Sequence, residues 1–91
     1  MLFDASDNKT TTHSARGAGR WFPATPAVLQ ATVDEYLAAA QVAPIAGRIQ
    51  GAVAPHAGFT YSGAVAGHTF RALQENLGDD PPDTAVVLGL S

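Results

Sequence analysis

The residue of this chain whose type and position most favour chemistry is His56, which lies in the turn Pro55–Gly58. A neutral imidazole can bind a divalent metal ion or act as an acid or base near neutral pH. The small neighbours Ala57 and Gly58 leave the imidazole ring accessible. Tyr61 lies five residues after His56, so its hydroxyl could contact the same polar substrate. His56 is therefore a candidate metal ligand or catalytic residue, and Tyr61 a candidate catalytic or pocket residue.

Residue types alone leave a structural alternative for His56 open. A histidine at the end of a strand can also be bonded to a backbone carbonyl with no function beyond folding. Catalytic metal sites use about three protein ligands, and the two other histidines offer little. His13 lies in a polar amino-terminal stretch and is expected to be solvated, whereas His68 is expected to lie inside a helix, away from the site.

Helical spacing predicts two helices. Thr25 is a favourable N-cap, and Pro26 suits the first helical position. An apolar stripe with helical spacing follows, and Pro44 ends the pattern. The stripe consists of Leu29, Val33, Tyr36, Leu37 and Ala40.

The second helix is predicted to begin at Ser62, acting as its N-cap, and to end at Gly78. Its apolar stripe consists of Ala66, Phe70, Leu73 and Leu77. Gly63 and Gly67 are four residues apart, a spacing that we interpret as close packing of this helix on a strand.

Short apolar runs flank the second helix and are predicted to be strands, Ile49–Ala54 and Ala85–Leu88. A strand, a helix and a strand in this order imply two parallel neighbours with a right-handed connection. The predicted fold class is α/β, a strand–helix–strand unit after an amphipathic helix. Since parallel strands are buried on both faces, we expect residues 18–91 to be the amino-terminal part of one larger domain, truncated here. Residues 1–17 are expected to be a disordered lead-in.

Adjacent aromatic residues before this unit, Trp21 and Phe22, lie in the segment Ala18–Pro23. Large aromatic side chains are costly to leave in water. We predict that the segment crosses the core as an extended arm, with packing favoured over ligand contact as the role of the two rings.

Composition excludes several classes of protein. The net charge is −3 and no basic stripe is present, which argues against a nucleic-acid partner. The absence of cysteine excludes a disulfide framework and a thiolate metal site within these 91 residues. No apolar run approaches the length of a membrane span and no secretory signal is apparent. A soluble cytoplasmic protein without a membrane partner is the expectation.

Three segments in this order resemble the Memo-like family, called AmmeMemoRadiSam system protein B in bacteria. They read AGRWFP (18–23), VAPHAGFTYSG (53–63) and VVLGLS (86–91). The resemblance implies a fold like that of the class III extradiol dioxygenases, with a central mixed sheet and helices on both sides. It also implies that His56 matches the first histidine of an iron-like site and Tyr61 a tyrosine of the pocket. The second histidine would directly follow the segment that ends at Ser91, and the remaining ligands would lie further on.

Two functions follow from the resemblance. One is a metal-dependent redox enzyme of dioxygenase type, with Fe(II), or else copper, held by His56 and a small-molecule substrate in the pocket. The other is a non-catalytic module that binds a peptide or another ligand, or serves signalling, through the same pocket. For the 91 residues alone we expect no activity, weak or no binding of Fe(II) or Cu(II), and marginal stability without the remaining carboxyl-terminal part of the same domain.

Overall fold

A computed structural model describes Thr12 and residues 14–89 of the chain. A turn at residues 17–22 precedes two helices, α1 (Pro26–Ala39) and α2 (Phe59–Leu77). Most of the predicted lead-in, together with His13 and the last two residues of the third motif, lies outside the described residues. Neither described helix combines the length and the apolar character that crossing a membrane requires.

The first helix begins and ends close to the predicted positions. Pro26 is its first residue, and Thr25 is the N-cap with an extended backbone. The Thr25 side chain makes no capping hydrogen bond; its backbone carbonyl accepts the Leu29 N–H at 2.8 Å. The predicted stripe is the face withdrawn from solvent, since Leu29, Val33, Tyr36 and Leu37 are half-buried and Ala40, the C-cap, is buried.

The second helix starts three residues before the predicted cap. Gly58 is the N-cap of α2, so the prediction that Ser62 caps it is wrong. Ser62 is instead the fourth helical residue, and its hydroxyl donates a 2.9 Å hydrogen bond to the Ala57 carbonyl. At the other end Gly78 is the C-cap with a φ of 51°, a conformation that glycine adopts without strain.

The two helices pack through one tyrosine and two glycines. A β-carbon added at Gly63 would lie 2.5 Å from the Tyr36 ring, and one added at Gly67 would lie 2.9 Å from the Tyr36 carbonyl oxygen. Hydrogen at these positions therefore lets the backbones approach. The predicted close packing is found, but its partner is helix α1 and not a strand.

The predicted strands Ile49–Ala54 and Ala85–Leu88 do not form within the described residues, so the α/β class is not confirmed. The side chains of Val53 and Leu88 are 92% and 90% exposed. A strand hydrogen-bonds its backbone to a neighbouring strand, and each segment lacks a neighbouring strand in the part of the chain that is described. These apolar runs consequently remain irregular.

The segment before the first of these runs lies along the end of α2. The Asn76 side chain accepts the Ile49 N–H at 2.7 Å and donates to the carbonyls of Ile45 and Gly47 at 3.1 and 2.8 Å. Arg48 adds contacts to the Asp80 carboxylate and carbonyl at 3.0 and 2.8 Å. The side chains of Asn76 and Arg48 thus form hydrogen bonds with backbone groups that have no neighbouring strand to bond with in the described residues.

Candidate functional site

The segment with the two adjacent aromatic residues forms a tight turn. The Gly17 carbonyl accepts N–H groups of Arg20 and Trp21 at 3.0 and 2.7 Å, and the Gly19 N–H donates to the Phe22 carbonyl at 2.6 Å. An isolated bridge pairs Ala18 with Phe22. The predicted extended arm is therefore wrong, because the glycines of this segment let the backbone close on itself.

This turn is joined to the segment that carries His56. The Phe59 N–H, at the first position of α2, donates to the Trp21 carbonyl at 2.7 Å. The Trp21 ring also lies against Gly58, where an added β-carbon would approach it to 3.0 Å. A donor that a helix leaves unpaired at its start is thus satisfied from 38 residues away in the chain, and the turn at 55–58 is held at its carboxyl end.

Three aromatic rings complete the connection. The Phe59 ring lies 6.0 Å from Phe22 and 6.1 Å from Tyr36, the latter in an edge-to-face arrangement. The Tyr36 hydroxyl donates a 3.1 Å hydrogen bond to the Phe59 carbonyl. Phe59 and Phe22 are both half-buried in this cluster, and the predicted packing role of Phe22 is found.

The imidazole of His56 is exposed, two residues before the N-cap of α2. Among the described residues neither of its ring nitrogens has a hydrogen-bond partner. Within the described residues the ring is therefore not bonded to a backbone carbonyl. An imidazole without such a bond can bind a metal ion or exchange a proton with a substrate.

Tyr61 lies on the first turn of α2 and is 78% exposed. His56 and Tyr61 thus flank the start of one helix, and both are open to solvent. Within residues 14–89 and Thr12, no group of three or more histidine, cysteine or acidic side chains is close enough to hold a metal ion. His68 lies in the body of α2, and its Nδ1 is 2.8 Å from the Ala64 carbonyl oxygen, one helical turn earlier.

Two of the three family-like motifs meet in the structure. Residues 18–23 contact residues 58–59 through the bond and rings described above. The third motif is described only to Gly89; Val86 and Leu88 in it are exposed, and its described residues form no strand.

Sequence reasoning missed two arginines around this arrangement. The Arg20 guanidinium lies over the Trp21 ring, 4.6 Å from its centroid. Arg71 donates to the Leu37 carbonyl at 3.0 Å and to Glu75 at 2.8 Å, which joins α2 to the last turn of α1. Glu75 is four residues after Arg71, so the sequence contained a signal for that ion pair. No spacing in the sequence indicates the contact with Leu37.

Comparison with known proteins assigns a family. The family model for the Memo-like protein matches residues 13–91. The chain is 36% identical over 70 residues to Protein MEMO1 of Danio rerio and 33% identical over 70 residues to Protein MEMO1 of Xenopus laevis. It is also 35% identical over 77 residues to a MEMO1 family protein of Methanothermobacter thermautotrophicus.

These alignments cover most of this chain but a small part of each relative. They include 77%, 77% and 78% of the chain, against 23%, 23% and 27% of the three relatives. The chain therefore spans about a quarter of the length of the curated relatives it matches. No solved structure matches the chain.

Proposed function

We propose that this chain, which belongs to the Memo-like protein family, supplies the His56 side of a metal-binding pocket in a redox protein. The observation that supports this proposal best is the state of His56. Its imidazole is exposed and unpaired among the described residues, yet the turn that carries it is fastened by the Trp21–Phe59 bond. A side chain with open nitrogens on a fastened turn is suited to binding a ligand.

The donor chemistry of His56 fits the proposed metal. Imidazole nitrogen is a suitable ligand for iron and for copper. One imidazole does not complete a site, since catalytic metals take about three protein ligands. We therefore propose that other segments of the full gene product, meaning the complete translated polypeptide that contains these residues, supply the remaining ligands.

The residues around His56 have separate proposed roles. His56 holds the metal through one ring nitrogen, and the Tyr61 hydroxyl hydrogen-bonds a polar group of the substrate. The Trp21 carbonyl fixes the start of α2 and through it the turn that carries His56. A bound iron ion would supply Lewis acidity and redox capacity, with positions open to dioxygen and substrate.

The finer fold belongs to the same proposal. We propose that Ile49–Ala54 and Ala85–Leu88 become parallel strands of a dioxygenase-like sheet when neighbouring strands are present. The exposed apolar side chains of Val53, Val86 and Leu88 support this, because a sheet would bury them. We also propose a cytoplasmic location.

The test is the metal content of the full gene product, purified after growth with iron and copper and measured by mass spectrometry. His56→Ala is compared with His68→Ala, which removes an exposed imidazole from α2. We expect stoichiometric iron or copper in the parent protein and in His68→Ala, and a loss of at least tenfold in His56→Ala. Equal metal content in the two variants would refute the role of His56.

Oxygen uptake distinguishes the enzyme from a module that only binds ligands. We expect the metal-loaded full gene product to consume dioxygen with a catechol substrate, and Tyr61→Phe to raise KM more than it lowers kcat. Saturable catechol or peptide binding without oxygen uptake, in a protein that contains metal, would favour the binding module.

A further inference from the structure

A second candidate site lies on the side of the amino-terminal turn that faces the helices. The turn, α1 and the start of α2 border a cleft of about 260 Å³. Its principal lining residues are Arg20, Trp21, Phe22, Tyr36, Phe59 and Thr60. The cleft is smaller than the roughly 300–1,000 Å³ of most ligand pockets, so only a ligand of about one ring would fit. His56 is not part of the lining, and the cleft does not depend on the proposed metal.

The charge of the cleft has one sign. Arg20 is its cation, and no acidic side chain occurs among the described residues that line it. Arg48 and Arg71 are paired with Asp80 and Glu75 at 3.0 and 2.8 Å. Arg20 has no carboxylate partner within the described part of the chain; its recorded neighbour is the Trp21 ring. A guanidinium with free N–H groups is the preferred partner of a carboxylate, which it binds through two parallel hydrogen bonds.

The position of Arg20 is restricted by the ring beneath it. A cation 4.6 Å from an indole centroid gains electrostatic attraction without using its N–H groups in hydrogen bonds. The Trp21 ring is itself held against Gly58. The charge is therefore fixed more firmly than that of a solitary surface arginine, which lowers the entropy lost when a ligand binds.

The remaining lining combines aromatic rings with two threonines, Thr32 and Thr60, and the Thr32 hydroxyl donates to the Val28 carbonyl at 2.8 Å. Phe22 and Phe59 contribute aromatic rings to the lining. The Tyr36 hydroxyl donates a hydrogen bond to the Phe59 carbonyl, so Tyr36 contacts a ligand through its ring. The Thr60 hydroxyl lies at the second position of α2, where the helix dipole also favours negative charge. A ligand that matches this lining has a carboxylate at one end and a flat apolar body.

We propose that this cleft binds a small aromatic carboxylate, with the carboxylate on Arg20 and the ring against the aromatic wall. Arg20 is then a specificity-determining residue that distinguishes acids from their neutral analogues. Charge-assisted bidentate hydrogen bonds are roughly twice as strong as neutral ones. Loss of the guanidinium therefore weakens binding of the acid by about tenfold or more.

The test is calorimetric titration of the full gene product with benzoate and with benzamide, its neutral analogue of similar shape. Arg20→Gln removes the charge, and Arg16→Gln is the matched control because Arg16 is exposed and does not line the cleft. We expect Arg20→Gln to weaken benzoate binding by at least tenfold, Arg16→Gln to change it less than twofold, and benzamide to bind weakly to every form. We also expect 0.5 M salt to weaken benzoate binding.

Three outcomes would overturn the proposal. They are the absence of saturable benzoate binding up to 10 mM, equal affinity for benzoate and benzamide, and equal effects of the two arginine substitutions. The His56→Ala variant separates this proposal from that of the metal pocket. We expect it to bind benzoate as the parent does, so a failure of the metal proposal leaves this result unchanged, and a failure here leaves the metal content unchanged.

Discussion

The contact between the two helices differs sharply from the two apolar segments predicted as strands. Where α1 meets α2, Gly63 and Gly67 are buried and Tyr36 lies directly on them. In the other segments Val53 and Leu88 are almost fully exposed, although both residues are as apolar as those of α1.

The difference arises from where each element finds its backbone hydrogen-bond partners. A helix satisfies its own N–H and C=O groups, so α1 and α2 need each other only for side-chain burial. A strand needs a neighbouring strand for its backbone as well. Apolar character alone therefore does not form a strand, whereas it suffices to orient a helix.

The largest expected effect in the helix pair is that of Gly67→Ala. A β-carbon there would meet the backbone carbonyl of Tyr36 at 2.9 Å, and a backbone cannot move aside as a side chain can. We expect a loss of about 2 kcal/mol in the free energy of unfolding, even though alanine favours helix more than glycine does. Urea unfolding of the full gene product, followed by circular dichroism, measures it.

Gly63→Ala and Gly51→Ala are the comparisons for that substitution. At Gly63 the obstacle is the Tyr36 ring, a side chain that can swing aside if it gives up its hydrogen bond to Phe59, so we expect a cost no larger than at Gly67. Gly51 has no atom within 4 Å of an added β-carbon, and a change below about 0.5 kcal/mol is expected. A Gly67→Ala protein as stable as Gly51→Ala would mean that the helices do not approach this closely.

Arg71→Gln should have the next largest effect. It removes the charged hydrogen bond to the Leu37 carbonyl and the pair with Glu75, for an expected loss of about 1.5 kcal/mol. Arg48→Gln is the matched control, since its contacts with the Asp80 carboxylate and carbonyl are of the same kinds but more exposed, and together they should be worth below about 1 kcal/mol. The same urea titration ranks the two, and the reverse order would show that Arg71 does not join the helices.

Tyr36→Phe removes one hydroxyl and keeps the ring over the glycines. The lost hydrogen bond to the Phe59 carbonyl should cost about 1 kcal/mol. Tyr61→Phe provides the control, because the Tyr61 side chain is exposed and its loss should leave stability within about 0.5 kcal/mol. Equal stability of the two variants would show that the hydrogen bond of the Tyr36 hydroxyl does not stabilise the fold.

The smallest effect is expected for Val53→Thr in the 91-residue chain. Val53 is 92% exposed, so replacing a methyl group by a hydroxyl should change stability by less than about 0.5 kcal/mol. A cost above about 1 kcal/mol in the same urea titration would show that this segment is buried. If the full gene product shows that larger cost while the 91-residue chain does not, the segment is a buried strand in the longer polypeptide, as proposed.

Local signals account for what could be predicted of the fold. These signals affect the backbone only within a few residues: the apolar stripe of α1, Pro26 at its start and Gly78 at the end of α2. The start of α2 was misplaced because Gly58 is a cap without a side-chain signal, and its neighbour Phe59 is satisfied by the distant Trp21 carbonyl.

The candidate site could be predicted only in its residue types. His56 and Tyr61 are exposed as a binding role requires, but their roles remain predictions. Neither the bond between Trp21 and Phe59 nor the threefold backbone contact of Asn76 follows from sequence spacing. The first joins two backbone groups, which every residue has, and the second joins the Asn76 side chain to backbone groups 27 to 31 positions away, so no local pattern marks either contact.

The Arg71 contact with the Leu37 carbonyl joins residues 34 positions apart, and the Tyr36 hydroxyl reaches only 23 positions ahead to Phe59. Both contacts lie within the stretch from the start of α1 to the end of α2, so all of their partners are present once α2 has been synthesised. The two helices can thus pair without help from any residue outside Pro26–Leu77.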